Sequence, residues 1–275
     1  MAQQTHFTSR ALKAARKPDK DVQVLYSVDP KRKAVLFIHG FSGDAVNTWS
    51  DFHLLMPQSD KCAGYDLFFY GYDGLRADMI ASASLFRDFL DRLFANASQT
   101  ANDNLPPAAQ RKADFGYDEL VIVGHSLGAV LTRRALLDAT KLGLEWTSRI
   151  KLLLFAPAHK GASVRKLAME TVSAIPFLKW FAGPAQYLSP LINQLAPDSD
   201  ELKSLLSETL LACAEGKNTH LIAKIVVLAE YEKVVTNQTF GNDPPGVAIP
   251  GASHTSVCKP RAAFLEPFAL LEKFL

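Results

Sequence analysis

The chain is predicted to fold as α/β, a mostly parallel central sheet with helices on both faces. Three features of the sequence lead there. Apolar runs at residues 34–38 and 120–123, and the predominantly apolar segments 65–70 and 150–155, are the mark of strands buried on both sides. Between them lie segments with apolar residues at helical spacing. The clearest is 79–93, where Ile80, Leu85, Phe86, Phe89, Leu90 and Leu93 are separated by Arg87, Asp88, Asp91 and Arg92. Strands that alternate with helices in this way pair in parallel and are covered on both faces. A chain of 275 residues is long enough for one large domain of this kind.

Taken in order, residues 1–20 are basic and polar, with Arg10, Lys13, Arg16, Lys17 and Lys20, and are expected to form a flexible or loosely helical arm. The domain proper runs over 21–275. Residues 22–28 alternate enough for an edge strand, and 29–33 form a turn. The buried strand at 34–38 ends in His39-Gly40-Phe41-Ser42-Gly43-Asp44, after which residues 47–49 open a helix. Strand 65–70 leads through Gly71-Tyr72-Asp73-Gly74 to helix 79–93. Residues 96–114, with Pro106-Pro107, read as a surface loop. Further strands are expected at 150–155 and 222–229, and a closing amphipathic helix at 263–275.

The interval from about 160 to 219 breaks this rhythm. Its segments 175–181 and 188–195 are apolar and interrupted by prolines, and 200–214 is helical. The interval is expected to be a cap inserted above the carboxyl edge of the sheet, where its aromatic residues would either pack as ordinary core or line an acyl pocket or touch a membrane surface transiently.

Composition narrows the function classes. A formal charge of +2, with basic residues beyond position 33 scattered among acids, gives no basic face for a nucleic acid. Cys62, Cys213 and Cys258 are too few and too separated for a disulfide framework or a zinc site, and no His-Glu-x-x-His run is present. No metal or cofactor is therefore implied. Polar residues interrupt the first stretch after Met1, and no run reaches the length of a membrane span, so a cytoplasmic location is expected. Nothing in the composition speaks to oligomeric state.

The chemistry centres on Gly124-His125-Ser126-Leu127-Gly128, set between an apolar β-branched run and a helical pattern. A serine at the apex of a sharp strand-to-helix turn has its hydroxyl thrown clear of the backbone. The amide of Leu127, at the helix N-terminus, points at negative charge developing beside that hydroxyl. The glycine-flanked turn after strand 34–38 supplies a second such amide, that of Phe41, at the same sheet edge.

A serine hydroxyl needs a base, and the base needs a carboxylate to fix its tautomer. His254, in the small-residue stretch 250–256 before the last helix, is the base expected. The carboxylate should follow a strand and precede His254. Glu232 is the first choice, because Val234-Val235 could lock its loop into the core; Glu230 is second and Asp243 third. His39 and His125 border the site and are the candidate substrate-binding residues, with His39 shaping the oxyanion turn and His125 packing beneath the serine. Structural places are expected for His53 and His159.

These motifs, in the chain order serine, acid, histidine, resemble the α/β-hydrolase fold over most of 22–275. More narrowly, Tyr65-Asp-Leu-Phe-Phe-Tyr-Gly-Tyr72 and Ser253-His-Thr-Ser-Val-Cys-Lys-Pro260 resemble the serine-esterase or lipase-like domains related to GPI inositol-deacylases. The resemblance implies a serine enzyme that hydrolyses small-molecule or lipid esters through an acyl-enzyme, with the oxyanion hole at Phe41 and Leu127. Glutamate stands where such families more commonly carry aspartate. An acyltransferase or amidase using the same serine, and a catalytically silent binding module of the same fold, are the rival expectations.

Overall fold

The computed structural model describes residues 6–9, 22–74, 78–162, 193–235 and 239–275. In chain order the strands are β1 (His6–Ser9), β2 (Gln23–Ser27), β3 (Lys33–Ile38), β4 (Tyr65–Tyr70), β5 (Glu119–His125), β6 (Ile150–Phe155), β7 (Ala223–Tyr231) and β8 (Val247–Ser253). The helices are α1 (Phe52–Leu55), α2 (Met79–Ala95), α3 (Ala97–Asn102), α4 (Leu127–Lys141), α5 (Asp200–Ala212) and α6 (Glu266–Phe274). The strands form one sheet in the order β1-β2-β4-β3-β5-β6-β7-β8. β2 runs antiparallel to both its neighbours, and the pairings from β4 to β8 are parallel. This is the α/β fold predicted.

The topology positions the site. β3 lies between β4 and β5, so the chain turns one way after β3 and the other way to reach β5, opening a crevice at their carboxyl ends. Ile38 is in register with Gly124, which starts the turns after β3 and β5 side by side. The central strands carry the apolar load of a sheet covered on both faces: all of β4 and all but the first residue of β3 and β5 are buried. On one face α2 packs against α4, and Tyr70 meets Phe86 and Phe89 of α2. On the other face Phe52 of α1 sits among Phe37, Phe155 and Phe268 of α6, with ring centroids 5.1, 6.4 and 6.3 Å away.

Several expectations need correction. Residues 6–9 are not part of a loose arm but a strand on β2, so β2 lies inside the sheet and not at its edge. Residues 96–114 are more than a surface loop, since α3 buries Ala97, Thr100 and Ala101, and Arg111 is buried beyond it. The small-residue stretch expected from 250 begins inside a strand, β8, which runs through Pro250 and Gly251; a proline is tolerated there because β8 is an edge strand. Of the expected cap, residues 163–192, and with them segment 175–181, lie outside the described residues. Its helical part, α5, packs on α4, and the chain on either side of 163–192 is joined where the Ala162 amide donates to the Leu195 carbonyl at 3.0 Å. Among the described residues no helix is long and apolar enough to cross a membrane.

A buried ion pair ties the segment after α3 to the sheet. Asp66 Oδ1 accepts from the Ser27 amide at 2.7 Å and from Arg111 Nη2 at 3.1 Å, while Oδ2 accepts from the Tyr117 hydroxyl at 2.7 Å. Burial pushes the Asp66 carboxyl up to about 6, against the pull of the Arg111 charge. Removing the cation strands that carboxylate without a charge partner. Arg111→Leu should therefore cost about 3–5 kcal/mol in urea unfolding, where a solvent-exposed pair would cost less than about 1 kcal/mol.

Candidate active site

The turn after β5 throws Ser126 into a backbone conformation that side chains rarely adopt, φ 52° and ψ −118°. Hydrogen bonds on both sides hold it there. The Ser126 amide donates to the Phe155 carbonyl at 3.0 Å, and the Ser126 carbonyl accepts from Ala129 and Ala158 at 3.1 and 3.2 Å. The glycines answer to crowding. A Cβ on Gly128 would lie 2.3 Å from the Ile38 carbonyl oxygen and 2.4 Å from that of His39, and one on Gly40 would lie 2.8 Å from Ser126 Cβ.

His254, the first residue after β8, brings its imidazole to this turn and is 1% exposed. The Ser126 hydroxyl donates to His254 Nε2 at 3.0 Å, and His254 Nδ1–H donates to Glu232 Oε2 at 3.0 Å. Glu232 follows β7 directly and its side chain is 2% exposed. Its second oxygen, Oε1, accepts from the amides of Val234 and Val235 at 2.7 and 3.1 Å. Burial alone would raise the Glu232 carboxyl, but the hydrogen bond and charge of His254, with these two amides, hold it below its ordinary value. Val235 also pairs with Ala162 in an antiparallel bridge.

The other two acids considered lie elsewhere. Glu230 is exposed and accepts from the Gly251 amide at 2.8 Å, tying β7 to β8. Asp243 is buried, but Oδ2 accepts from Arg133 Nη2 at 2.6 Å and Oδ1 from the Ala223 amide at 2.8 Å.

The turn after β3 closes with the Gly43 amide donating to the Gly40 carbonyl at 3.1 Å. Leu127 is the first residue of α4, so its amide has no acceptor within the helix. His39 is fully buried. Its Nδ1–H donates to the Gly40 carbonyl at 2.8 Å and its Nε2 accepts from the Tyr72 amide at 3.3 Å. The Tyr72 hydroxyl returns a hydrogen bond to the His39 carbonyl at 2.8 Å, and the two rings stack 4.4 Å apart. His125 is 6% exposed, and its Nε2–H donates to the His254 carbonyl at 2.9 Å. Burial, and then the charge of His254, hold His125 well below the usual imidazole range, so the ring is neutral. His39 is thus held at the turn after β3, and His125 between Ser126 and the turn after β8.

Two features of the surroundings escaped the sequence reading. Tyr72 clamps the turn after β3 through its two hydrogen bonds to His39, and its place two residues after a buried strand is the signal for it. Arg133 reads as an ordinary charged helix residue, but it is 1% exposed, donates from Nε to His159 Nε2 at 3.2 Å, and lies over the Phe240 ring at 4.6 Å. Its spacing from the apolar residues of α4 was the only hint. His53 takes a structural place as well, donating from Nδ1 to the Ser50 carbonyl at 2.8 Å. Among the described residues no group of three or more His, Cys, Asp or Glu is arranged to hold a metal ion.

A sheet in this order, with a strained serine at the turn between its fifth strand and the helix that follows, defines the class of α/β proteins built around an elbow-borne nucleophile position. The chain belongs to the alpha/beta hydrolase family, whose model matches residues 35–267. No curated protein matches it in sequence.

Solved structures of the same fold include three with low sequence identity. The mature lipase BlEst2 of Bacillus licheniformis is 15% identical, with a TM-score of 0.54 over 88% of this chain and 93% of that one. The peroxisomal alpha-beta-hydrolase Lpx1 of Saccharomyces cerevisiae is 12% identical, with a TM-score of 0.55 over 100% and 90%. Esterase B of Lactobacillus rhamnosis, solved with a tributyrin phosphonate, is 16% identical, with a TM-score of 0.53 over 99% and 85%.

Two measurements separate the buried acids. Asp243→Asn removes the counter-charge of Arg133 and should cost about 3 kcal/mol in denaturant unfolding. Glu232 acts through pH. A carboxyl whose folded value lies below its unfolded one, about 4.3, contributes stability above that pH and loses it as the pH falls through the folded value. Unfolding curves taken from pH 6 down to about pH 3 should show this acid loss in the parent chain and a shallower one in Glu232→Gln.

Proposed function

We propose that the protein hydrolyses carboxylic esters through a covalent acyl-enzyme. Ser126 Oγ attacks the ester carbonyl carbon while His254 Nε2 takes its proton. Glu232 holds the imidazole with Nδ1–H toward itself and stabilises the imidazolium that forms. The oxyanion of the tetrahedral intermediate is received by the amides of Phe41 and Leu127. Its collapse expels the alcohol, which takes the proton from His254. Water then attacks the acyl-enzyme with His254 as base, and the carboxylic acid leaves Ser126 restored.

The observation that carries this reading is the unbroken donor–acceptor run from Ser126 Oγ through His254 to Glu232, at 3.0 and 3.0 Å. The tautomer is already the reactive one, since Nδ1 faces a carboxylate and Nε2 faces a hydroxyl. A damaged site, as in a silent binding module, would break this run at one of its members. Two of the solved neighbours are named a lipase and an esterase, the chemistry proposed here. The narrower likeness to domains related to GPI inositol-deacylases belongs to the same proposal. So does a preference for hydrophobic acyl groups, which rests on the apolar composition of segments 175–181 and 188–195.

Ser126→Ala and His254→Ala should each lower kcat on a short-chain aryl ester by about 10⁶-fold if the residues act as a unit, and Glu232→Gln by somewhat less. A fluorophosphonate probe should label the parent chain and leave Ser126→Ala unlabelled. Near-normal turnover by Ser126→Ala would overturn the mechanism. Rates across acyl chain lengths test the pocket, and a preference for acetyl over every longer acyl group would count against it. Adding alcohol or amine acceptors distinguishes hydrolysis from transfer by the products formed.

A further inference from the structure

We infer that His125 is a positioning residue whose imidazole spaces the nucleophile, the base and the oxyanion turn relative to one another. The inference rests on the hydrolytic reading above, because it concerns the geometry of that reaction. Three elements meet at this ring. His125 is the last residue of β5, adjoining Ser126 in the chain. Its Nε2 lies 2.9 Å from the main-chain oxygen of His254, in the turn after β8. A carbonyl oxygen can only accept, so Nε2 bears the proton and Nδ1 bears the lone pair.

On its other side the ring abuts the oxyanion turn. A Cβ on Gly40 would lie 3.0 Å from His125 Nδ1, so a side chain there would press on the ring. Trp49 stands edge-on to the imidazole, with ring centroids 6.4 Å apart and planes at 82°. The His125 and His254 rings are 5.0 Å apart.

The consequence is a second link between serine and base. The Ser126–His254 hydrogen bond must open and re-form as the proton moves, because Oγ becomes bonded to the acyl carbon. The link from His125 to the His254 backbone does not take part in the chemistry and persists through it. It holds the base where it must be to return its proton to the leaving alcohol and to activate the incoming water. Among the described residues Trp49 Nε1 and His125 Nδ1 are both buried without a protein hydrogen-bond partner, so there the Nε2 bond is the ring's one hydrogen bond.

The test compares three substitutions that differ in reach. Glutamine places its amide nitrogen close to the position of the imidazole Nε2 and keeps the donor. Leucine removes it, and asparagine is polar but too short. Each variant is assayed on the same aryl ester, with active enzyme counted by fluorophosphonate titration and folding followed by thermal melting. His125→Leu should lower kcat by about 10- to 100-fold with KM within about twofold, and His125→Gln should return most of the loss. If the leucine variant does not accumulate folded, His125→Asn is read in its place and should show the same loss.

The inference is overturned if the non-donor variant keeps the parent kcat, or if glutamine is as slow as leucine, since the ring would then be only a packing element. Ser126→Ala is run alongside. Turnover surviving in that variant would sink the hydrolytic reading itself, whereas a dead Ser126→Ala with an unaffected His125→Leu would sink only the positioning role.

Discussion

The start of α4 approaches the end of β3 so closely that main chain meets main chain, and the rest of the site depends on that contact. With Gly128 lying against the Ile38 and His39 carbonyls, only a glycine fits. The approach brings the helix N-terminus, the strained Ser126 and the turn after β3 into one small volume. The register of Ile38 with Gly124 then makes the two turns leave the sheet together. A wider gap would separate the two turns, and with them the Leu127 and Phe41 amides proposed to receive the oxyanion. The unfavourable backbone at Ser126 persists because hydrogen bonds to Phe155, Ala129 and Ala158 over-determine it.

Much of this was legible in the amino-acid sequence, for physical reasons that also explain what was not. A strand buried on both faces is predominantly apolar, so β3, β4, β5 and β6 announce themselves despite Asp66 in β4 and Lys151 in β6. The convergence of Ser126, His254 and Glu232 could be read because the chemistry restricts each residue type and the fold restricts its place. β8 could not be read, since an edge strand tolerates the proline and glycine that a pattern treats as breaks. Nor could the bond from the His125 ring to the His254 carbonyl, since proximity in the chain to Ser126 does not say which main-chain group a ring will meet. Arg133 was hidden for a related reason. Its charge is satisfied by Asp243, twenty residues beyond the start of β7, and no local pattern encodes a partner so distant.

Two carboxylates of nearly equal burial illustrate how surroundings assign roles. Glu232 and Asp243 have side chains 2% and 3% exposed. Asp243 is held by a guanidinium that is always charged and by the Ala223 amide, so its place is fixed. Glu232 is held by an imidazole that changes its charge during the proposed cycle and by two amides that do not. Those amides come from its own loop, so the carboxylate is oriented before any base arrives. Glutamate also has the reach to serve both partners, with Oε1 turned to the loop and Oε2 to the ring. The shorter aspartate, from the same backbone position, would have to give up one of them.

The bridge between Ala162 and Val235 has a consequence for rebuilding the protein. Chain crossing from 162 to 195 is pinned at its foot by the Ala162 amide on Leu195, and the same alanine pairs with the residue whose amide helps orient Glu232. An engineer grafting a foreign segment into this interval would need to keep both footings and join the new sequence inside them. A graft that replaced Ala162 or Leu195 would redraw the loop that carries Glu232, and an effect of the new segment could then no longer be told apart from a misplaced Glu232.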